Sequence, residues 1–211
     1  LPTQSILKIL HEEHVEDALR VAGFRHAHQG VFIDVLKARA WTLIRARIPW
    51  LLIGLLGGIG AAFVVKFFES ALEEEVALAF FIPAMLYMSA AVGTQSEAFY
   101  LRLYDSGNFR LKTYFLREIL VGFGIGLMAS AIIFLFTFFI LKNLTIALIV
   151  SFSMFLSVLL AVVIATFIPA LLVKLKKDPA IGTGPFATVL QDLLTVVIYF
   201  LVASWFLGDP R

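Results

Sequence analysis

Cysteine is absent from the 211 residues, which excludes disulfide staples and thiolate metal sites and leaves oxygen ligands, or the four histidines, for any metal chemistry. Charge is scarce as well. Asp, Glu, Lys and Arg make up 15% of the chain and the net charge is +2, so nothing supports a nucleic-acid partner and the basic residues read better as topology signals. The sequence opens at Leu1 rather than methionine, as a fragment or processed form would, and Leu1 to Asp34 hold no apolar run resembling a signal peptide. What abounds is apolar. With 61% hydrophobic residues and a mean hydropathy of +0.95, the chain exceeds what a soluble domain of this length could bury. A multi-pass protein of the cell membrane is expected, all-α and not an enzyme.

A membrane span needs about 20 apolar residues. Five stretches qualify: Ile48 to Phe68, Val76 to Phe99, Ile119 to Leu141, Ile146 to Val173 and Phe186 to Leu207. Pro83 and Pro169 fall in the second and fourth and are expected to kink or locally unwind them. Lysine and arginine gather on one side: Lys37, Arg39, Arg45 and Arg47 before span one, Arg102, Arg110, Lys112 and Arg117 between two and three, and Lys174, Lys176 and Lys177 between four and five. The other side carries Glu69, Glu73, Glu74 and Glu75 after span one, only Lys142 between spans three and four, and Asp209 with Arg211 at the end, so the positive-inside rule places the N-terminus in the cytoplasm and the C-terminus outside. Trp50, Tyr100, Tyr104, Tyr114 and Trp205 are expected to form interfacial belts. Residues 1–47 then make cytoplasmic amphipathic and connecting helices, and residues 48–211 a five-helix transmembrane domain. Gly54 with Gly58, and Gly122 with Gly126, have a spacing that lets helices approach closely, and packing within one chain explains both pairs more simply than a subunit contact.

The polar residues inside the spans point to function. Asp192 lies about two turns into span five, where an ionised carboxylate costs on the order of 3 kcal/mol on insertion scales and persists where it serves ions or protons. Thr188 and Thr195, at i−4 and i+3, add hydroxyls to the same face. Span two ends in Ser89-Ala-Ala-Val-Gly93-Thr94-Gln95-Ser96, small and polar residues whose oxygens suit hydrated hard cations, so Ser89, Gly93, Thr94, Gln95 and Thr195 are candidate pore-lining residues. One carboxylate per chain is a poor divalent-cation site. Two copies related by a dyad would suffice, because Mg²⁺ keeps several of its waters and takes only one or two carboxylates. The simplest architecture is therefore a homodimer with an axial pore. Near the N-terminus, Glu13, Glu16 and Asp17 share one helical face and would need cations to neutralise them, while His11 and His14 at i, i+3 are a weaker transition-metal pair.

These segments carry a family resemblance. Arg47-Ile-Pro-Trp-Leu-Leu-Ile, Val92-Gly-Thr-Gln-Ser96, Arg117-Glu-Ile-Leu-Val-Gly122 and above all Ile168-Pro-Ala-Leu-Leu-Val-Lys-Leu-Lys-Lys-Asp178-Pro-Ala-Ile-Gly-Thr-Gly-Pro-Phe186, followed by Asp192, resemble the transmembrane domain of the MgtE magnesium channels. The resemblance implies five helices, a homodimer and a pore lined by spans two and five. It implies that Asp192 is the pore carboxylate for a largely hydrated Mg²⁺, with the carbonyl of Thr188 one turn before it. It also implies that Glu12 to Asp17 belong to an acidic plug helix, with Glu13, Glu16, Asp17 and Asp178 forming a cytosolic metal cluster that holds the pore closed. Two departures stand out. The N-terminal helical domain and paired CBS domains typical of bacterial members are missing from this sequence, so weak inhibition by internal Mg²⁺ is expected. Ala90 and Ala91 replace the usual glycine and asparagine, bearing on pore shape and ion choice.

The functional expectation is a Mg²⁺ channel, with Mg²⁺ as transported ion and regulatory ligand, and with divalent cations, membrane lipid and a second copy of the chain as partners. Two alternatives remain at this point: a proton- or Na⁺-coupled exchanger using Asp192, and a non-conducting membrane metal sensor.

Overall fold

A computed structural model describes residues 39–105, 110–176 and 185–208. Glu13, Glu16, Asp17 and Asp178, with His11 and His14, lie outside the described residues. The described residues are helical: α1 (Ala40–Phe67), α2 (Glu69–Glu74), a 3₁₀ segment (Val76–Phe81), α3 (Ile82–Asp105), α4 (Leu111–Leu141), α5 (Leu144–Lys174) and α6 (Pro185–Leu207). Four stretches are long and apolar enough to cross a membrane, at Val76–Tyr104, Leu111–Leu141, Leu144–Lys174 and Phe186–Leu207, and α1 makes a fifth when its two arms count as one span.

Each long helix matches an expected span, and α1, α3 and α4 overrun theirs into charged sequence. The third was expected from Ile119 and starts at Leu111; the second was expected to stop at Phe99 and continues to Asp105. Hydropathy marks the stretch that avoids water, whereas backbone hydrogen bonding continues into the polar ends.

The prolines occupy different positions in their helices. Pro83 is the second residue of α3, just after the 3₁₀ segment, where a missing N–H breaks no helix bond. α5 continues through Pro169 to Lys174. The bend is in α1, whose arms Ala40–Pro49 and Leu51–Phe67 meet at 43°, because Pro49 removes a hydrogen bond in mid-helix. The expected domain boundary after Arg47 falls inside α1, just before this bend.

α4 and α5 form a tight antiparallel hairpin. Lys142 takes the left-handed conformation (φ 51°) that ends α4, and the Asn143 side chain caps α5 by accepting from the Ile146 N–H at 3.2 Å. Gly122 and Gly126 let the two helices close. A Cβ at Gly122 would press on Val162 at 2.8 Å, and one at Gly126 would meet Phe155 at 3.2 Å.

α5 is the centre of the protein, packing against α3, α4 and α6. Its Ile149, Val150, Val158 and Val162 are fully buried, with Leu78 of the 3₁₀ segment and Met85 and Val92 of α3 in the same cluster. Outward-facing residues are large and apolar: Phe63, Phe67, Phe80, Phe139 and Trp205 are all mostly exposed. Such a surface suits hydrocarbon and would be untenable in water.

The ends of the helices are tied by polar and aromatic contacts. At the basic end, the Tyr114 hydroxyl of α4 donates to the Ser96 carbonyl of α3 at 2.7 Å, and the Ser96 hydroxyl donates to Glu118 Oε1 at 2.6 Å. Tyr100 and Tyr114 are buried edge to face, so they join helices rather than forming the expected interfacial belt. At the other end, the Tyr199 hydroxyl of α6 donates to the Leu78 carbonyl at 2.7 Å, and Phe68 stacks on Phe200 at 5.3 Å.

Candidate functional site

The site is built around α6, which three helices hold from three directions. Successive helical residues lie about 100° apart, so taking Asp192 as reference places Gln191 and Thr195 on one flank, Val189 and Leu193 on the other and Leu190 and Leu194 behind. The contacts agree with that wheel. Leu190 and Leu194 pack with Ile164 and Ile168 of α5. Val189 and Leu193 meet Gly57 and Gly60 of α1. Gln191 and Thr195 bond to Ser89 of α3. Asp192 therefore lies on the floor of a groove walled by α1 and α3, on the side of α6 opposite α5.

The α3 wall is a closed polar network. The Ser89 hydroxyl is fully buried; it accepts from Gln191 Nε2 at 3.2 Å, shares a 2.9 Å bond with the Thr195 hydroxyl and donates to the Ser157 carbonyl of α5 at 3.4 Å. With Thr195 as the donor in the shared bond, the hydroxyl uses its one hydrogen and both lone pairs. Gly93, one turn further along α3, carries no side chain where the Gln191 carboxamide lies; a Cβ there would collide with the amide. The α1 wall is apolar. At Gly57 a Cβ would collide with the branched side chain of Val189, and at Gly60 it would reach Leu193 at 3.6 Å.

Asp192 itself is half-buried, and its Oδ1 is shielded with no hydrogen-bond partner among the described residues. Thr188, one turn nearer the basic end, is exposed on the same face. Toward the other end Tyr199 ties α6 to the 3₁₀ segment and Phe68 stacks on Phe200.

The expected pore-lining residues separate into two groups. Ser89, Gly93 and Thr195 are buried within the chain, between α3 and α6. Thr94 and Gln95 are exposed. Val92 joins the cluster with Val158 and Val162 of α5, which turns Thr94, about 100° on from Gly93, toward the same open side as Asp192, while Gln95 points away from α6. Ala90 also turns to the open side and Ala91 to the back. Among the described residues no three His, Cys, Asp or Glu side chains gather in a metal-binding group.

Gln191 is the residue that reading the sequence missed. A lone amide in an apolar span was the available signal, but its partners Ser89 and Gly93 lie about a hundred positions away and only folding brings them to it.

Comparison with known proteins places this architecture. A sequence profile for MgtE, a divalent cation transporter, matches residues 82–202, which contain the α3 wall, α4, α5 and the site on α6. The magnesium transporter MgtE of Bacillus subtilis is 35% identical over 172 residues, which are 80% of this chain and 38% of that protein. Those of Enterococcus faecalis and Thermus thermophilus are each 29% identical, over 96% and 94% of this chain and 44% of their own length. The chain thus spans less than half the length of these relatives. With apolar spans arranged as above and the profile covering more than half its length, the chain is a multi-pass membrane protein that belongs to the MgtE family of divalent cation transporters.

Proposed function

We propose that this chain passes Mg²⁺ across the membrane as a homodimeric channel, with the N-terminus cytoplasmic and Asp192 as the carboxylate that attracts the hydrated ion. One observation carries the reading: a half-buried carboxylate at the floor of the α1–α3 groove has a shielded oxygen that no described group satisfies. Such an oxygen is costly unless something cationic visits it. The matched relatives are magnesium transporters, which favours Mg²⁺ as that cation.

A dyad-related copy supplies the second carboxylate, and two carboxylates suit an ion that keeps most of its water. Thr188 and Thr94, exposed beside Asp192, offer oxygens to that water. Ser89, Gly93 and Thr195 act behind this surface by holding α3 and α6 together, and Gln95 stands further from the ion path. Glu13, Glu16, Asp17 and Asp178 form the cytosolic metal cluster that favours the closed state.

The test is Mg²⁺ uptake into liposomes driven by membrane potential. Asp192→Ala and Asp192→Asn should lower flux about a hundredfold, the equivalent of roughly 3 kcal/mol. Wild-type flux in both variants would refute the assignment. Uptake that requires a proton or Na⁺ gradient would identify a coupled exchanger instead.

A further inference from the structure

Asp192 Oδ1 has no hydrogen-bond partner among the described residues, yet its helix is held in a definite rotation. Two flanks set that rotation. The α1 flank is made of aliphatic side chains against Gly57 and Gly60, contacts without direction that permit small rolls and slides. The α3 flank is made of hydrogen bonds, which are short and directional. There the Gln191 carboxamide spans from α6 to Ser89, lies over Gly93 where no Cβ could fit, and is 4% exposed. Ser89 in turn is anchored to Thr195 and to the Ser157 carbonyl of the central helix.

We propose that Gln191 is a positioning residue for ion passage: by bridging α6 to Ser89 over Gly93, its carboxamide fixes the rotation at which the neighbouring Asp192 is presented to the ion. This rests on the reading of Asp192 as the ion-attracting carboxylate.

The leverage comes from adjacency. Side-chain tips lie about 5 Å from a helix axis, so a roll of about 20° moves the Asp192 carboxylate by nearly 2 Å. That is a large fraction of the space occupied by one water of a hydrated cation. Loss of the bridge therefore weakens ion capture even in a chain that remains folded, because α5 and α1 still pack on the other two sides of α6. A purely structural amide would behave differently, lowering the amount of folded protein and leaving ion affinity alone.

The experiment uses the full chain in liposomes, with flux normalised to folded protein and Mg²⁺ as the probe. Gln191→Leu keeps a similar volume and removes the bridge. It should raise the half-saturating Mg²⁺ concentration about five- to tenfold, with a smaller change in maximal flux. Ser89→Ala, which removes the acceptor and leaves Gln191 in place, should give the same signature, and the double variant should be no worse than the more affected single one. If Gln191→Leu does not fold, Ser89→Ala carries the test.

A second readout does not depend on flux. Since the chain has no cysteine, Asp192→Cys introduces a single thiol, and its rate of labelling by a cationic methanethiosulfonate should shift at least threefold when Ser89→Ala is added. An unchanged half-saturating concentration together with an unchanged labelling rate would overturn the proposal. The Asp192→Asn control separates the two ideas. If that variant conducts normally, the reading of Asp192 fails; if it is inactive while Gln191→Leu and Ser89→Ala match wild type, only the positioning role fails.

Discussion

The two walls of the groove around Asp192 differ in chemistry. On the α1 side, glycines receive Val189 and Leu193; on the α3 side, a glycine receives an amide that is hydrogen-bonded to a buried serine. Both walls use the absence of a side chain to bring helices together, as helices in lipid must when apolar burial no longer drives association. The difference lies in what closes the gap. Aliphatic contact supplies packing energy without direction, and hydrogen bonds supply direction with modest energy. The α1 wall should therefore govern stability, and the α3 wall the way the carboxylate is presented.

The largest stability effect should come from Gly57→Ala. The added methyl meets the Cβ-branched Val189 side chain, which has little freedom to turn away, so α1 must move off α6 at a cost of about 1–3 kcal/mol. Thermal unfolding in detergent would show it, and a second substitution, Val189→Ala, should recover most of the loss. Failure of that recovery would mean that the glycine serves something other than this contact. Gly93→Ala should cost less, about 0.6–1.7 kcal/mol, the range of a hydrogen bond between membrane helices. Here the obstacle is the far end of a flexible side chain, which can swing aside at the expense of its bond to Ser89. Its flux defect should exceed that of Gly57→Ala; the reverse order would break the comparison.

The smallest effect should follow Gly58→Ala. A Cβ at Gly54 or Gly58 meets no described residue within 4 Å, so the single chain should lose no more than a few tenths of a kcal/mol. Unfolding measured on assembled and dissociated protein sharpens the point: a loss above about 1 kcal/mol confined to the assembly would show that a second copy covers this strip.

The two glycine pairs also show where reading the sequence stops. Gly54/Gly58 and Gly122/Gly126 have the same spacing. The second packs within the chain as expected; the first opens outward, while Gly57 and Gly60 make the contact with α6. Spacing tells that helices can approach closely and not which face does so. Proline is similar. Pro49, Pro83 and Pro169 all lie in apolar stretches, but Pro83 stands at the start of α3, where its missing N–H breaks no helix bond, whereas Pro49 lies in mid-helix where the two arms of α1 meet at 43°. Ser89, Gly93 and Thr195 stand out in the sequence as small or polar residues inside spans, and their burial between helices came only with the fold.

Composition and hydropathy were enough for the membrane class, the helical spans to within several residues at their ends, and the prominence of Asp192. These are local properties, set by the cost of exposing backbone and charge to hydrocarbon and readable over about twenty residues. Which side of α6 faces α5, which wall is polar, and that Gln191 and Thr195 both reach Ser89 of α3 were decided by tertiary packing. Those choices depend on residues far apart in the sequence, about a hundred positions for the α3 wall, whose meeting follows from the shapes of whole helices and from no local preference.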